Sequence, residues 1–224
     1  MAEYIIDRFY QAYDLILDKH AKTNYQSYSW YPSPLKIPPI KPKYFNFDCY
    51  GMFYSWIFRD KLEYIKNELM DIWKIESNHR SYPITKYGDI LWFSYLTSNE
   101  RQKSILKNNI FPSWNNHYRN SSIDFLNLYC KSLKNIDISN EKIKKGDIIT
   151  WCNLFENKKK QKYGHIVIVL EEPKYIKHNV IIIKCGETTI NKLNNGLQIK
   201  NRIFRKKDND LFFQNKISII TRII

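Results

Sequence analysis

The chain of 224 residues is 43% hydrophobic and carries a formal net charge of +14, which fits one globular domain with a proper core. No run approaches the roughly 18 apolar residues of a membrane helix, and the acids within residues 1–22 are unlike a secretory signal, so no transmembrane segment is expected. The basic residues are mostly scattered lysines without a helix-turn-helix, RNP or zinc pattern, which predicts no specific nucleic-acid partner. The compartment stays open: periplasmic or secreted if a signal has been removed, and cytoplasmic otherwise. The oligomeric state stays open as well.

The first half of the chain predicts helices. Apolar residues at helical spacing predict an amphipathic helix over Tyr4 to Lys19. Five prolines between Thr23 and Lys43 cannot continue it and predict an extended connector that leads to Tyr44. Further helices are expected over Cys49 to Phe58, Lys61 to Trp73 and within Tyr87 to Leu96.

The second half predicts an antiparallel sheet, because short β-branched runs alternate with turn residues. A hairpin turn is expected at Asp208 to Asp210. Helices followed by strands indicate the α+β class. The strands are expected over Ile148 to Trp151, His165 to Leu170, Val180 to Cys185, Leu197 to Phe204, Leu211 to Phe213 and Ile217 to Ile223.

Four cysteines, at positions 49, 130, 152 and 185, form no CxxC pair and no disulfide pattern. Cys49 differs from the others because it follows the potential capping residue Asp48 in FDCYGM and opens a strongly apolar helix. At such a position the helix dipole and free backbone N–H groups favour thiolate over thiol and could hold an oxyanion. A buried core cysteine is the alternative interpretation.

Two later segments add a possible base. KKGDIITW, from Lys144 to Trp151, is a Gly-Asp turn that opens a strand, and YGHIVIVLEE places His165 at the first position of the next strand. An imidazole there can face a cleft while Ile166 to Leu170 are buried in the sheet.

A D-C-x-G helix start, a G-D strand and a G-H strand, in this order, resemble the NlpC-type superfamily of permuted papain-like cysteine hydrolases. The resemblance implies an α+β, papain-like fold with N-terminal helices packed on an antiparallel β-sheet. It covers residues 44–224, and residues 1–43 form an N-terminal helix and Pro-rich connector without a counterpart. Tyr50 departs from the family, which commonly has Ser after the nucleophile.

The resemblance also implies the site. Cys49 is expected as the nucleophile, His165 as the base, and Glu187 as the third catalytic residue, which orients the imidazole. Cys185 or Lys184 would take the place of Glu187 under a different strand register. Residues expected to bind substrate are Tyr44, Asp48, Tyr50 and Tyr163.

The family implies hydrolysis of an amide, most often a peptide bond in peptidoglycan, through an acyl-enzyme. No metal or organic cofactor is implied, and the partner expected is peptidoglycan or a peptide. Two alternatives stay open. One is acyl or thioester transfer by the same Cys/His pair, and the other is a catalytically inactive binding module, which the departure at Tyr50 and the uncertain third residue favour.

Overall fold

The structure, a computed structural model, describes residues 1–17, 22–23, 44–45, 49–78, 90–110, 130–151, 164–188 and 197–224. The interior of the proline-rich connector, Asp48 and Tyr163 lie outside the described residues, so the predictions made for them stay predictions. The two ends of the connector pair in parallel as short strands, β1 (Lys22–Thr23) and β2 (Tyr44–Phe45).

The helices expected in the first half are confirmed. They are α1 (Ala2–Leu17), α2 (Cys49–Met52), α3 (Glu63–Asn78) and α4 (Ile90–Leu96). The helix that begins at Cys49 continues as a π-helix over Phe53–Ile57, and a 3-10 turn, Asp60–Leu62, leads into α3.

A fifth helix, α5 (Glu100–Ile110), was not predicted because its mostly polar sequence has a weak apolar period. It begins with a reciprocal cap. The Gln102 backbone N–H donates to Asn99 Oδ1, and the Asn99 backbone N–H donates to Gln102 Oε1. Among the described helices, none is both long and apolar enough to cross a membrane.

All six predicted strands are confirmed, and the eight-stranded sheet to which they belong contains two more. The turn at Asp208 is also confirmed, with a φ of 54° at that residue and Lys207 paired to Asp210 across it. The two unpredicted strands of this sheet are only three residues long, β3 (Leu133–Asn135) and β6 (Lys174–Ile176). The six predicted ones are β4 (Ile148–Trp151), β5 (His165–Val169), β7 (Val180–Thr188), β8 (Leu197–Lys207), β9 (Asp210–Phe213) and β10 (Lys216–Ile223).

The strands form a closed barrel, so the papain-like α+β fold expected from the sequence is wrong. The strands pair in the order β10-β4-β5-β7-β8-β9, and β9 pairs back with β10, which closes six antiparallel strands into a ring. β3 and β6 are attached to this ring. The closure arises because β10 pairs with β9 through Lys216–Ser218 and with β4 through Ser218–Thr221. The same apolar runs fit an open sheet equally well, and the sequence does not show which edges meet.

Alternation along the strands separates two cores. The barrel interior holds an apolar cluster drawn from alternate strand positions, including Val167, Val169, Ile183 and Phe204. The residues between them in sequence, such as Ile166 and Ile168, belong to a second cluster that includes the side chains of the helices. The helices therefore pack on the outer face of the barrel.

Two close contacts fix this packing beside β7. Phe9 of α1 lies so near Gly186 that a Cβ built there would be 2.7 Å from the ring. Thr188 donates a hydrogen bond to Met52 Sδ at 3.0 Å, which ties α2 to the last residue of β7. Helix α1 thus shares the second core with the barrel, and the boundary expected at residue 43 stays a prediction.

Candidate active site

His165 and Glu187 meet at the end of the barrel where β4 and β7 end and β5 and β8 begin, which we call the His165 end. β5 and β7 are antiparallel neighbours, with Val167 opposite Glu187. His165 lies two residues before Val167, so both side chains are on the interior face. His165 Nε2 and Glu187 Oε2 are 3.0 Å apart, within hydrogen-bond distance.

The contact with Glu187 selects the tautomer of His165. An ionised carboxylate only accepts hydrogen bonds, so Nε2 carries the proton and donates it to Glu187. In the neutral imidazole the other nitrogen, Nδ1, then holds the lone pair and is the basic atom. The His165 side chain is 19% exposed, which leaves it partly open at the His165 end.

Glu187 is fully buried and is shared between His165 and Arg202. Arg202 Nε donates to Glu187 Oε2 at 2.8 Å, and Arg202 Nη2 donates to Oε1 and Oε2 at 2.6 Å each. Burial alone would raise the pKa of Glu187, but the hydrogen bonds and positive charge of His165 and Arg202 outweigh it. The pKa therefore lies below its ordinary value.

Trp151 forms an aromatic wall beside this group. It is paired with His165 across β4 and β5, and its ring meets the imidazole edge to face with centroids 5.0 Å apart. The guanidinium of Arg202 lies 5.4 Å from the Trp151 ring and 5.0 Å from the Phe213 ring, both within cation–π range. His165, Glu187, Arg202 and Trp151 are interior side chains from four adjacent strands.

Cys49 lies on the other face of the same strands. It begins α2, which packs against β5 and β7, and its side chain is 8% exposed within the core between helices and barrel. Met52, one helical turn or about 5 Å further on, contacts Thr188, the residue after Glu187. This brings the start of α2 towards the His165 end. A direct approach of the Cys49 thiol to the imidazole stays a prediction.

Two further predicted site residues, Tyr44 and Tyr50, lie in described elements, and the two alternatives to Glu187 are placed as well. Tyr44 lies in β2, and Tyr50 follows Cys49 in α2. Lys184 points to the outer side and bonds Glu171 at 2.5 Å. Cys185 is on the interior face but donates to the backbone of Ile183, so Glu187 alone of the three alternatives contacts His165.

The other described cysteines, Cys130 and Cys185, have thiols of low reactivity. Burial, with the hydrogen bond to Glu68 as a second cause, raises the pKa of Cys130 to about 12. Burial, followed by the negative charge of Glu187, likewise raises the pKa of Cys185 to about 12. Both remain thiols near neutral pH and are poor nucleophiles.

Two members of the group, Arg202 and Trp151, were missed by sequence reasoning. Trp151 ends a predicted strand whose pairing with β5 would have placed it beside His165. Arg202 has no such signal, since it is one of several basic residues in β8. Within the described ranges no cluster of three or more His, Cys, Asp or Glu could hold a metal ion.

The chain was also compared with known proteins. No family model, curated protein or solved structure matches it.

Proposed function

We propose that the chain is a cysteine-dependent hydrolase of amide bonds, with Cys49 as the nucleophile, His165 as the base and Glu187 as the residue that orients the imidazole. The observation that carries the proposal is the 3.0 Å contact of His165 Nε2 with the buried Glu187 carboxylate, on two strands against which the Cys49 helix packs. A base held by a third polar group is the arrangement that nucleophilic catalysis requires.

The chemistry follows from the tautomer. Because the two side chains start from opposite faces of the strands, the reaction requires the Cys49 thiol to reach His165 Nδ1 at the His165 end of the barrel. There Nδ1 takes the proton of the thiol, and the sulfur forms a bond to the amide carbon. The C–N bond then breaks, the leaving amine takes the proton from Nδ1, and an acyl-enzyme remains. Water attacks this thioester while Nδ1 accepts its proton, and the proton returns to the sulfur as the acid product leaves. The cycle needs no redox partner.

The substrate class rests on the resemblance in the order of the D-C-x-G, G-D and G-H segments, which favours a peptide bond in peptidoglycan. The net charge of +14 suits an anionic polymer of this kind. The barrel is compatible with the proposed chemistry, because the same site chemistry occurs on unrelated folds.

A second function, an inactive binding module, is favoured by one observation. The hydrogen bonds of Glu187 to Arg202, at 2.6 to 2.8 Å, are shorter than its bond to His165 at 3.0 Å. In a module without catalysis the buried carboxylate would serve only as the partner of the arginine inside the barrel.

The test is hydrolysis by wild-type protein and two matched thiol-to-hydroxyl variants, C49S and C130S, incubated with peptidoglycan fragments and with an acyl thioester. We expect wild type and C130S to release new amino groups from the fragments and C49S to lose at least about 1,000-fold of that rate, since a neutral hydroxyl is a far weaker nucleophile. C130S is a suitable control because its hydroxyl can keep the bond that the Cys130 thiol makes to Glu68 at 3.1 Å.

Full activity in C49S would refute the proposal. Cleavage of the thioester alone would favour acyl transfer. If none of the three proteins cleaved either substrate and no thiol-directed probe labelled Cys49, the inactive module would be the better function.

A further inference from the structure

We infer that Arg202 is a positioning residue of this site, which holds the Glu187 carboxylate at two points and offsets its negative charge, so that Glu187 in turn orients His165 as the base. The inference rests on the proposed function. It adds a fourth functional residue, one that acts through Glu187 and does not contact substrate.

The hydrogen bonds from Arg202 fix the plane of the Glu187 carboxylate. The Nε and Nη2 groups of Arg202 reach both oxygens of Glu187 at 2.6 to 2.8 Å, and a planar guanidinium bound at two points resists rotation of its partner. The same carboxylate accepts the hydrogen bond from His165 Nε2 through Oε2 at 3.0 Å. A freely turning carboxylate would present neither oxygen to the imidazole reliably.

Arg202 is itself held in place. Its guanidinium lies over the rings of Trp151 and Phe213, and Trp151 also packs against His165. The same indole therefore supports both the base and the residue that fixes its partner. The side chain of Arg202 is 18% exposed, which leaves little room for it to swing away.

Arg202 is also the cation beside Glu187 that stays charged when His165 is neutral. The titratable groups that face this carboxylate from the interior are His165 on β5, Arg202 and Lys200 on β8, and Cys185 on β7, while Cys49 begins α2 on the outer side. Lys200 Nζ is 4.0 Å from Oε1 and 47% exposed, so water screens it. Without Arg202 the uncompensated carboxylate would stabilise the imidazolium form of His165, which cannot accept a proton from Cys49.

A purely structural role would predict a different outcome. Burying an ion pair costs about as much desolvation as its attraction returns, so the pair is weak support for a stabilising role. If Arg202 only filled the barrel, its replacement would change stability but leave the pH dependence of catalysis where it is. The pH profile therefore separates the two roles.

The experiment compares R202M with R205M in the full chain, because Arg205 is an exposed arginine on the same strand. For R202M we expect kcat on peptidoglycan fragments to fall about 10- to 100-fold, the range of a charge-assisted hydrogen bond. KM should change little, since Arg202 does not bind substrate. The acid limb of the pH profile should move up by about one pH unit. R205M should match wild type.

R202K separates the charge of Arg202 from its two-point contact with Glu187. It also replaces R202M in the experiment if R202M does not fold. Lysine keeps the charge but loses the two-point grip. We expect R202K to keep the acid limb of the wild-type pH profile. Its kcat should fall by roughly 3- to 10-fold, since one hydrogen bond of the two-point contact is lost. A folded R202M or R202K with the kcat and pH profile of wild type would overturn the inference.

Nitrogen-15 NMR of the histidines distinguishes failure of this inference from failure of the proposed function, since it needs no turnover. In wild type His165 should carry its proton on Nε2, and in R202M its titration midpoint should move to higher pH. The same midpoint and tautomer in a folded R202M would refute the role of Arg202 even if Cys49 proved essential. The expected shift in a protein without hydrolase activity would support the Arg202 coupling and refute the hydrolase.

Discussion

At the residue scale, the most consequential side chain is Glu187, a fully buried carboxylate. Its charge is tolerated because Arg202 and His165 donate four hydrogen bonds to it. Removing one partner of such a pair leaves an uncompensated charge, which costs far more than the pair contributes when intact.

The variant E187Q should therefore be strongly destabilised. We expect the free energy of unfolding to fall by about 3–5 kcal/mol at pH 7, because Arg202 loses its carboxylate. Chemical denaturation measures this. The control E171Q, on a half-exposed carboxylate paired with Lys184, should cost no more than about 1 kcal/mol. Equal losses in the two variants would show that the interior pair is energetically unimportant.

The same comparison gives a pH dependence of known sign. The pKa of Glu187 is lowered in the folded protein from its ordinary value of 4.5, so its stabilising contribution is fully present above pH 4.5 and is lost as pH falls through the folded value. Wild type should lose stability over this acidic range more steeply than E187Q. Parallel curves would contradict the lowered pKa.

Glu187 could be proposed from the sequence, because the resemblance implied an orienting group on the strand after His165 and Glu187 is the acid near the end of that strand. Arg202 could not. Arg202 and Arg205 lie in the same basic strand, and only the register of β8 against β7, with Ile183 opposite Arg202, turns one inward and leaves the other exposed. Register depends on pairing between distant segments, which a single strand does not encode alone.

At the element scale, the packing of α1 on β7 depends on Gly186. The variant G186A places a methyl group 2.7 Å from the Phe9 ring, and Phe9 is itself fully buried. We expect a loss of about 1–3 kcal/mol in the free energy of unfolding, measured by urea denaturation, as for other overpacked cores.

The double variant F9L/G186A is the matched test, since a shorter side chain vacates the space. The two changes should couple, so that the double variant is at least about 0.5 kcal/mol more stable than the sum of the single losses. Additive losses would mean that the packing of α1 on β7 does not depend on the absence of a side chain at position 186.

Most helices and strands could be predicted from apolar periodicity, but their local form could not. The helix at Cys49 was expected to be continuous, yet after four residues it becomes a π-helix over Phe53–Ile57. Trp56, within the π-helix, forms two hydrogen bonds with Arg8 of α1. Trp56 Nε1 donates to the Arg8 carbonyl, and Arg8 Nη2 donates to the Trp56 carbonyl. Such tertiary bonds can hold a wider helical turn, which is common at functional sites.

At the scale of the whole molecule, closure of the sheet is the feature that the sequence concealed. Each strand was visible as an apolar run, but β10 pairs with β3, β4 and β9 along different parts of its length. A barrel and an open sheet bury the same alternating residues, so the pattern predicts strands and leaves their edges undetermined. The net charge of +14 likewise leaves the partner undetermined, and the absence of specific nucleic-acid binding stays a prediction.

The central claim is that Cys49 is a nucleophile activated by His165. The most direct measurement is the rate of alkylation of each cysteine by iodoacetamide near neutral pH, mapped by mass spectrometry in wild type and H165N. We predict that Cys49 reacts fastest in wild type and roughly tenfold more slowly in H165N, because the imidazole no longer takes its proton. Cys130 and Cys185, with pKa values of about 12, should react slowly in both. Preferential labelling of Cys130 or Cys152, or an unchanged rate at Cys49 in H165N, would contradict the claim.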